Sequence, residues 1–244
     1  MTTLLLVRHG RTAANAAAVL AGWTPGVGLD EQGQQQAAAL ADRLRPVPLA
    51  AVVSSPLDRC METAAAIAAG RAGDQTDDQA AAVETDQRLG EAHYGDWTGK
   101  ELKKLVKDPL WPVVQQHPSA AVFPGDEGEG LAHTQARAVA AVRDWNARLG
   151  QEATWLACSH ADVIKAVVAD ALGLHLDLFQ RIVVDPCSLT VIRYTATRPF
   201  VVRLNDVGGA VTDLLPPKRR RRRRAARSAA AGDAIVGGGA GGAG

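Results

Sequence analysis

The sequence predicts an α/β fold, a three-layer sandwich in which helices cover both faces of a mostly parallel central sheet. Three short apolar runs, each followed by a helix-like stretch, support this prediction: residues 4–7, 49–53 and 153–158. Uninterrupted aliphatic runs of this length are typical of strands buried on both faces, as the strands of a parallel sheet are. With 244 residues and a hydrophobic content of 47%, the chain can bury a substantial core.

The remaining elements follow from helix caps, apolar periodicity and chain breakers. Asp30 is a suitable N-cap for one helix, and Ser55 with Pro56 behind it is a suitable start for another. Beta-branched residues and turn residues mark the later strands. The helix capped by Asp30 is predicted over residues 31–44, and further helices are predicted over 12–20, 100–107, 131–149 and 162–172. Further strands are predicted over 182–184, 189–194 and 200–204. Residues 70–83 show no periodicity and are predicted to form a loop.

Charge separates the end of the chain from the rest. From Lys218 onward there are eight basic residues and one acidic residue, so 19 basic and 25 acidic residues precede it, a net charge of −6. We therefore expect a mildly acidic globular domain over residues 1–215 and a disordered basic, then Gly/Ala-rich tail over 216–244. A block of arginines can bind nucleic acid. No aromatic residues interleave to stack on bases, which favours an incidental polar tail instead.

Cysteine usage and hydropathy narrow the cellular setting. Cys60, Cys158 and Cys187 fit neither a metal-binding spacing nor a disulfide framework, which predicts a reducing, cytoplasmic location. The N-terminus lacks a signal-type segment, and no run reaches the roughly 18 apolar residues of a membrane span. The sequence accordingly predicts no membrane partner.

The first strand ends at Arg8 and His9. Ligands of open α/β sheets bind beyond the carboxyl ends of the strands, and the N-terminus of the next helix would point its free N–H groups to the same place. A permanent cation beside an imidazole that can act as a nucleophile suits phosphate chemistry. A charged strand end with a structural histidine is the alternative that this stretch alone leaves open.

Three further positions extend the pattern. Arg59 falls on the first turn after the second strand and can point back toward the strand end, although a solvated helix face is the simpler reading of it alone. His160 ends the third strand just as His9 ends the first. Glu91 lies in a polar, turn-rich segment with two aromatic residues, where a carboxyl group tends to have the raised pKa that a general acid needs. Taken alone, Glu91 is better interpreted as a surface carboxylate.

Five separated motifs, in order over about residues 3–205, resemble those of the histidine phosphatase superfamily, in its phosphoglycerate mutase-like branch. They are Leu6-Val7-Arg8-His9-Gly10 with Thr12 and Asn15; Leu29-Asp30-Glu31 with Gly33 and Gln36-Ala37; Ser54-Ser55-Pro56-Leu57 with Arg59 and Glu62-Thr63-Ala64; Leu89, Glu91, Tyr94-Gly95, Trp97 and Gly99; and Ser159-His160.

The resemblance implies a phosphoglycerate mutase-like fold and a phosphomonoester hydrolase of the histidine acid phosphatase type. In that interpretation His9 attacks phosphorus to form a phosphohistidine intermediate, and Glu91 protonates the leaving oxygen and later activates water. No metal or cofactor is required, and the partner is a small phosphorylated metabolite. The side chains implied to bind the phosphoryl group are Arg8, Asn15, Arg59 and His160, the last also counted as catalytic.

Some positions depart from the family pattern. Ala161 stands where the family usually has Gly, and Asp126-Glu127-Gly128 stands where related sequences often show Gly-Glu-Ser. An insertion over about residues 86–131 is expected to cover the site partly, and Trp23, the Glu91 segment and residues 124–130 are expected to contact the leaving group. Two alternatives stay open: a phosphoglycerate mutase-type phosphomutase, and a non-catalytic phosphate-binding adaptor with a nucleic-acid-binding tail.

Deleting residues 216–244 is expected to leave turnover of a phosphomonoester nearly unchanged, because nothing in their composition can build part of a packed site. Steady-state kinetics of the full-length and shortened chains would check this expectation. A large loss of kcat/KM on deletion would show that the tail takes part in the reaction.

Overall fold

The computed structural model describes residues 1–70 and 82–208, in which a six-stranded sheet lies between two layers of helices. The strands are β1 (Thr2–Arg8), β2 (Ala51–Ser54), β3 (Val83–Thr85), β4 (Thr154–Ser159), β5 (Leu189–Tyr194) and β6 (Pro199–Asp206). The helices are α1 (Ala13–Ala16), α2 (Glu31–Leu44), α3 (Asp58–Ala69), α4 (Leu102–Leu105), α5 (Trp111–Gln116), α6 (Leu131–Leu149) and α7 (Ala161–Leu172). The predicted tail over 216–244 and most of the predicted loop over 70–83 lie outside the described residues.

The sheet is mostly parallel, as predicted. Its strand order is β3-β2-β4-β1-β5-β6; β4 pairs in parallel with β1 and β2, β2 pairs in parallel with β3, and β5 is antiparallel to both β1 and β6. The register sets Arg8 opposite Ser159 and Ser54 opposite Cys158. The carboxyl ends of β1, β4 and β2 therefore meet at one edge, where Arg8-His9, Ser159-His160 and Ser54-Ser55 leave their strands.

The core lies on both faces of this sheet. Successive side chains of a strand point to opposite faces, so Leu5 and Val7 of β1 pack with α2 and α3, whereas Leu4 and Leu6 pack with α6 and α7. All four side chains are buried. This explains why the first strand has no polar alternation.

The first helix is much shorter than the predicted range of 12–20. Thr12 caps it and forms a capping box with Asn15, but Ala18 adopts a left-handed φ of 52° and breaks the helix. The backbone N–H of Leu20 then donates to the carbonyl of Lys100. Contact with the segment around residue 100 therefore overrides the helix preference of this alanine-rich stretch.

The predicted role of Ser55 as a helix cap is wrong. Helix α3 begins at Asp58, and its N-cap residue Leu57 makes no side-chain cap hydrogen bond. The Ser55 hydroxyl instead lies 2.8 Å from Nε2 of His160. A buried hydroxyl needs a partner, and the histidine ring supplies it.

Other differences concern short elements. The predicted strand over 182–184 is wrong: Leu176–Arg181 forms a 3-10 helix and the residues after it are irregular. There the Val184 carbonyl accepts a hydrogen bond from Arg8, so this backbone serves the site and not the sheet. Strand β3 and helix α5 were not predicted, since three and six residues are too few for a periodicity to emerge.

Substituting Gly33 tests how the loop after β1 docks on α2. A Cβ at Gly33 would lie 2.0 Å from the Arg11 carbonyl oxygen, far inside contact distance. We expect Gly33→Ala to destabilise the fold by about 1–3 kcal/mol, because overpacking outweighs the gain of about 1 kcal/mol in helix propensity. Denaturant unfolding measures this change. Gly70→Ala is the matched control, because its Cβ would meet nothing closer than 3.4 Å; equal effects of the two substitutions would contradict the expected docking.

Candidate active site

His9 lies just beyond β1 and is buried, with 3% of the residue's surface exposed. Its Nδ1 lies 2.7 Å from the Gly10 carbonyl oxygen. A carbonyl oxygen can only accept, so Nδ1 carries the proton and Nε2 keeps its lone pair. Burial, together with the charges of Arg59 and Arg8, lowers the pKa of His9 well below its usual value. The ring is therefore neutral and has the tautomer that a nucleophile at Nε2 requires.

Two buried guanidinium groups flank this ring. Nη1 of Arg8 donates to the Val184 carbonyl at 2.8 Å, and Nη2 of Arg59 donates to the Gly22 carbonyl at 2.8 Å. Nη1 of Arg59 is buried and has no hydrogen-bond partner among the described residues. Since leaving a buried donor unpaired is costly, the position of Arg59 favours an anion, and phosphate is one that arginine binds well.

His160 lies beside both His9 and Arg59. Its ring centroid lies 5.2 Å from that of His9 in an edge-on arrangement, and Arg59 Nη2 lies 3.2 Å from its Nδ1. Burial, and then the charge of Arg59, lowers the pKa of His160 well below its usual value. The two histidines predicted from separate strand ends are thus neighbours, and both are neutral.

Glu91 faces the same cluster from the opposite side. Its Oε2 lies 3.8 Å from Nδ1 of His160, and its Oε1 accepts the backbone N–H of Ala92 at 3.0 Å. Burial raises the pKa of Glu91 to about 7, with a further contribution from the Asp162 carboxylate and an opposing one from Arg59. A carboxyl group that keeps its proton near neutral pH can act as a general acid.

Asn15 is a predicted site residue whose side-chain oxygen takes part in a helix cap. Its Oδ1 accepts hydrogen bonds from the backbone N–H and the hydroxyl of Thr12, as part of the capping box of α1. A contribution of Asn15 to phosphate binding would have to come from its amide Nδ2, and it stays a prediction.

A buried network behind Glu91 was not predicted from the sequence. The Tyr94 hydroxyl donates to Oδ2 of Asp162 at 2.9 Å, and Nζ of Lys165 lies 3.4 Å from Oδ1 of the same carboxylate. Asp162 lies in the first turn of α7, two residues after His160. An acidic residue in that position, directly after a strand-end histidine, was the sequence signal that could have pointed to it.

A pocket of about 490 Å³ lies beside the segment that contains Glu91, and Arg88 and His93 of that segment line it. Trp23 and His93 stack in its wall with centroids 4.4 Å apart, and residues 126–130 form another part of the lining. The segments expected to contact a leaving group therefore do come together. The lining residues do not include the side chains of the cluster, namely His9, Arg8, Arg59, His160 and Glu91. The pocket therefore lies beside the cluster.

Two other kinds of site are absent from the described part of the chain. No described helix combines the length and apolar character needed to cross a membrane. Within residues 1–70 and 82–208, no three His, Cys, Asp or Glu side chains are grouped as metal ligands would be.

Replacing Glu91 tests whether its carboxyl group is protonated at neutral pH. Because the pKa of Glu91 is raised from 4.5 to about 7 on folding, the folded chain binds the proton more tightly and loses stability as pH rises through that interval. Glu91→Gln removes this loss, so its unfolding free energy relative to the wild type should increase by about 3 kcal/mol between pH 4.5 and pH 8. Denaturant unfolding at several pH values measures it. A pH-independent difference would show that folding does not raise the pKa of Glu91. Glu127→Gln, at an exposed carboxylate, controls for the loss of a surface charge.

Comparison with known proteins places this cluster in a family. A sequence profile described as histidine phosphatase superfamily (branch 1) matches residues 4–207. A glucosyl-3-phosphoglycerate phosphatase of Mycolicibacterium vanbaalenii is 30% identical over 71% of this chain and 76% of its own length. A 2,3-bisphosphoglycerate-dependent phosphoglycerate mutase 2 of Gloeobacter violaceus is 26% identical over 82% of this chain and 89% of its own.

A solved structure agrees with the sequence comparisons. The structure of Bacillus stearothermophilus YhfR superimposes with a TM-score of 0.75 at 31% identity, covering 85% of this chain and 98% of that protein. The relatives include both phosphatases and phosphomutases. With the profile matching nearly all described residues, the chain belongs to the histidine phosphatase superfamily, branch 1, and its fold is that of the phosphoglycerate mutase-like proteins.

Proposed function

We propose that this protein hydrolyses a small phosphomonoester through a phosphohistidine intermediate. The observation that carries the proposal is the burial of two titratable groups in one cluster with Arg8, Arg59 and His160. Burial lowers the pKa of His9, which favours the neutral ring, and raises the pKa of Glu91 to about 7, which favours the protonated carboxyl group. The first state is needed in a nucleophile and the second in a proton donor. Burial produces both, because it disfavours the charged form of either group.

The first half of the reaction transfers the phosphoryl group to the protein. Nε2 of His9 attacks phosphorus, and the bond from phosphorus to the leaving oxygen breaks. Glu91 delivers its proton to that oxygen, so an alcohol departs and a carboxylate remains. Charge on the phosphoryl oxygens is stabilised by the side chains that surround them: Arg8, Arg59 and His160, with Asn15 added if its amide reaches them.

The second half returns the site to its starting state. The Glu91 carboxylate accepts a proton from water, and the water oxygen attacks phosphorus and displaces His9. Inorganic phosphate leaves, and Glu91 is protonated again. Every proton in the cycle is supplied by Glu91 or the water, so the chain's own side chains are sufficient for this sequence of steps.

The second candidate function is a phosphomutase, in which a second hydroxyl group replaces the water. The similarity to a phosphoglycerate mutase favours it. The segment between β3 and α6 favours hydrolysis, because its helices are short: α4 has four residues and α5 has six. The intact cluster of charged and imidazole side chains argues against a non-catalytic adaptor.

Two finer features belong to the same proposal. The substrate is a small phosphorylated metabolite, as the names of the similar phosphatase and mutase indicate for those proteins. A cytoplasmic location is supported by Cys60, Cys158 and Cys187, which are all buried and free.

Substituting His9 is the direct test of the mechanism. We expect His9→Ala to reduce hydrolysis of p-nitrophenyl phosphate at least about 1,000-fold and to abolish acid-labile phosphorus labelling of the chain, since no other group can form the intermediate. The control is His117→Ala, at an exposed histidine, which should retain both. Labelling that persists in His9→Ala would refute the assignment of the nucleophile.

The same assay separates hydrolysis from isomerisation. Incubation of the wild type with a phosphoglycerate should release inorganic phosphate in step with loss of the ester. Efficient isomerisation with negligible release of phosphate would instead establish the phosphomutase.

A further inference from the structure

We propose that Arg137, paired with Glu129, is a positioning residue that holds the backbone of Glu91 in place for proton transfer. The inference rests on the proposed function in one respect, namely that Glu91 is the proton donor. Arg137 lies on α6 and Glu129 lies just before that helix, so neither belongs to the strand ends that carry the phosphate-binding side chains.

Every N–H of the Arg137 guanidinium has an acceptor. Nε and Nη2 donate to the two carboxylate oxygens of Glu129 at 2.7 and 2.8 Å. Nη1 donates to the carbonyls of Arg88 and Gly90 at 2.7 and 2.8 Å, and Nη2 also donates to the carbonyl of Glu91 at 2.9 Å. A guanidinium has five N–H donors, and three of them are spent on the backbone that leads into the proton donor.

Glu129 holds the other side of the same segment. Its Oε2 accepts the backbone N–H of His93 at 3.2 Å, and its own backbone N–H donates to the His93 carbonyl at 2.8 Å. Burial would raise the pKa of Glu129, but the hydrogen bonds and charge of Arg137, together with hydrogen bonds from His93 and Thr134, lower it overall. The Glu129 carboxylate therefore stays ionised, and the Arg137–Glu129 pair holds the chain both before and after Glu91.

The segment needs such a support because regular structure does not supply one. A 3-10 helix ends at Leu89 and another begins at Gly95. Between them the Glu91 carbonyl is fixed by Arg137 and by Nε1 of Trp23, the latter at 2.6 Å. Helix α6 is 19 residues long and packs a buried face against the core, so it provides a rigid mount.

The phosphate side of the cluster is anchored independently. His9 and Arg8 are held by β1 and its neighbours, and Arg59 by α3 and the Gly22 carbonyl. Loss of Arg137 should therefore displace the proton donor and leave the nucleophile and phosphate contacts in place. A displacement of this kind affects esters according to how much their leaving group needs a proton.

Leaving-group dependence is the first arm of the test. For an alkyl phosphomonoester, we expect Arg137→Ala to lower kcat/KM about 10- to 100-fold, the range expected when a reacting group is misplaced by about 1 Å. For p-nitrophenyl phosphate the loss should be under about threefold, since nitrophenolate departs without a proton. Glu91→Gln should show the same dependence on the leaving group more strongly. The comparison uses kcat/KM because this ratio does not include the later hydrolysis of the intermediate.

Two further variants serve as controls for the comparison of the two esters. Arg137→Lys keeps the charge but cannot make the five hydrogen bonds, so it should show an intermediate loss, and it decides the result if Arg137→Ala does not fold. Arg143→Ala is the matched control, because Arg143 lies on the same helix and pairs with Asp170 at the surface. It should leave both substrates unaffected.

Hydrogen exchange is the second arm and needs no activity. The amides of Ala92 and His93 are bonded to Glu91 and Glu129 respectively, so their exchange should be faster in Arg137→Ala and Arg137→Lys than in the wild type or Arg143→Ala. Unchanged exchange there overturns the proposal, and so do equal losses on both esters. Wild-type protein that hydrolyses neither ester would refute the proposed function, while the exchange arm would still decide whether Arg137 positions Glu91.

Discussion

The parallel pairing of β4 with β1 on one side and β2 on the other is the constraint on which the site depends. It brings three strand ends to one edge, and backbone bonds continue it beyond the strands: the His9 N–H donates to Ser159, and the Ser55 N–H donates to Cys158. His9, His160 and Ser55 are thereby brought together from positions up to about 150 residues apart.

The low polarity of the buried site then shifts the pKa values of the groups that the sheet brings together. The same burial lowers the pKa of His9 and raises that of Glu91 to about 7, so it favours the uncharged form of both groups. Asp162 adds to the effect on Glu91 while it is itself bonded to Tyr94 and lies close to Lys165. In the proposed function, this buried cluster is a preformed site for a phosphate dianion.

Residues next to strand ends could be predicted from the sequence, because a buried aliphatic run identifies both the strand and the point where it stops. His9, His160 and the nearby arginines were found in this way, and the full length of α6 followed from its periodicity. Contacts made across the fold could not be predicted. Ser55 looked like a helix cap but bonds His160, and residues 12–20 looked helical but turn at Ala18 to meet a distant segment. Arg137 and Glu129 gave no local signal, since their partners are backbone carbonyls and amides.

The pocket beside Glu91 is lined chiefly by residues outside the strand ends, such as Trp23, His93 and the loop over 126–130. In the proposed reaction this pocket would receive the alcohol portion of the ester, while the side chains at the strand ends act on the phosphorus. Substitutions in the pocket wall would then change which ester is admitted and leave the strand-end side chains in place. Function of this kind resides in sites built on a shared scaffold, and relatives with this fold have names that specify different phosphate esters.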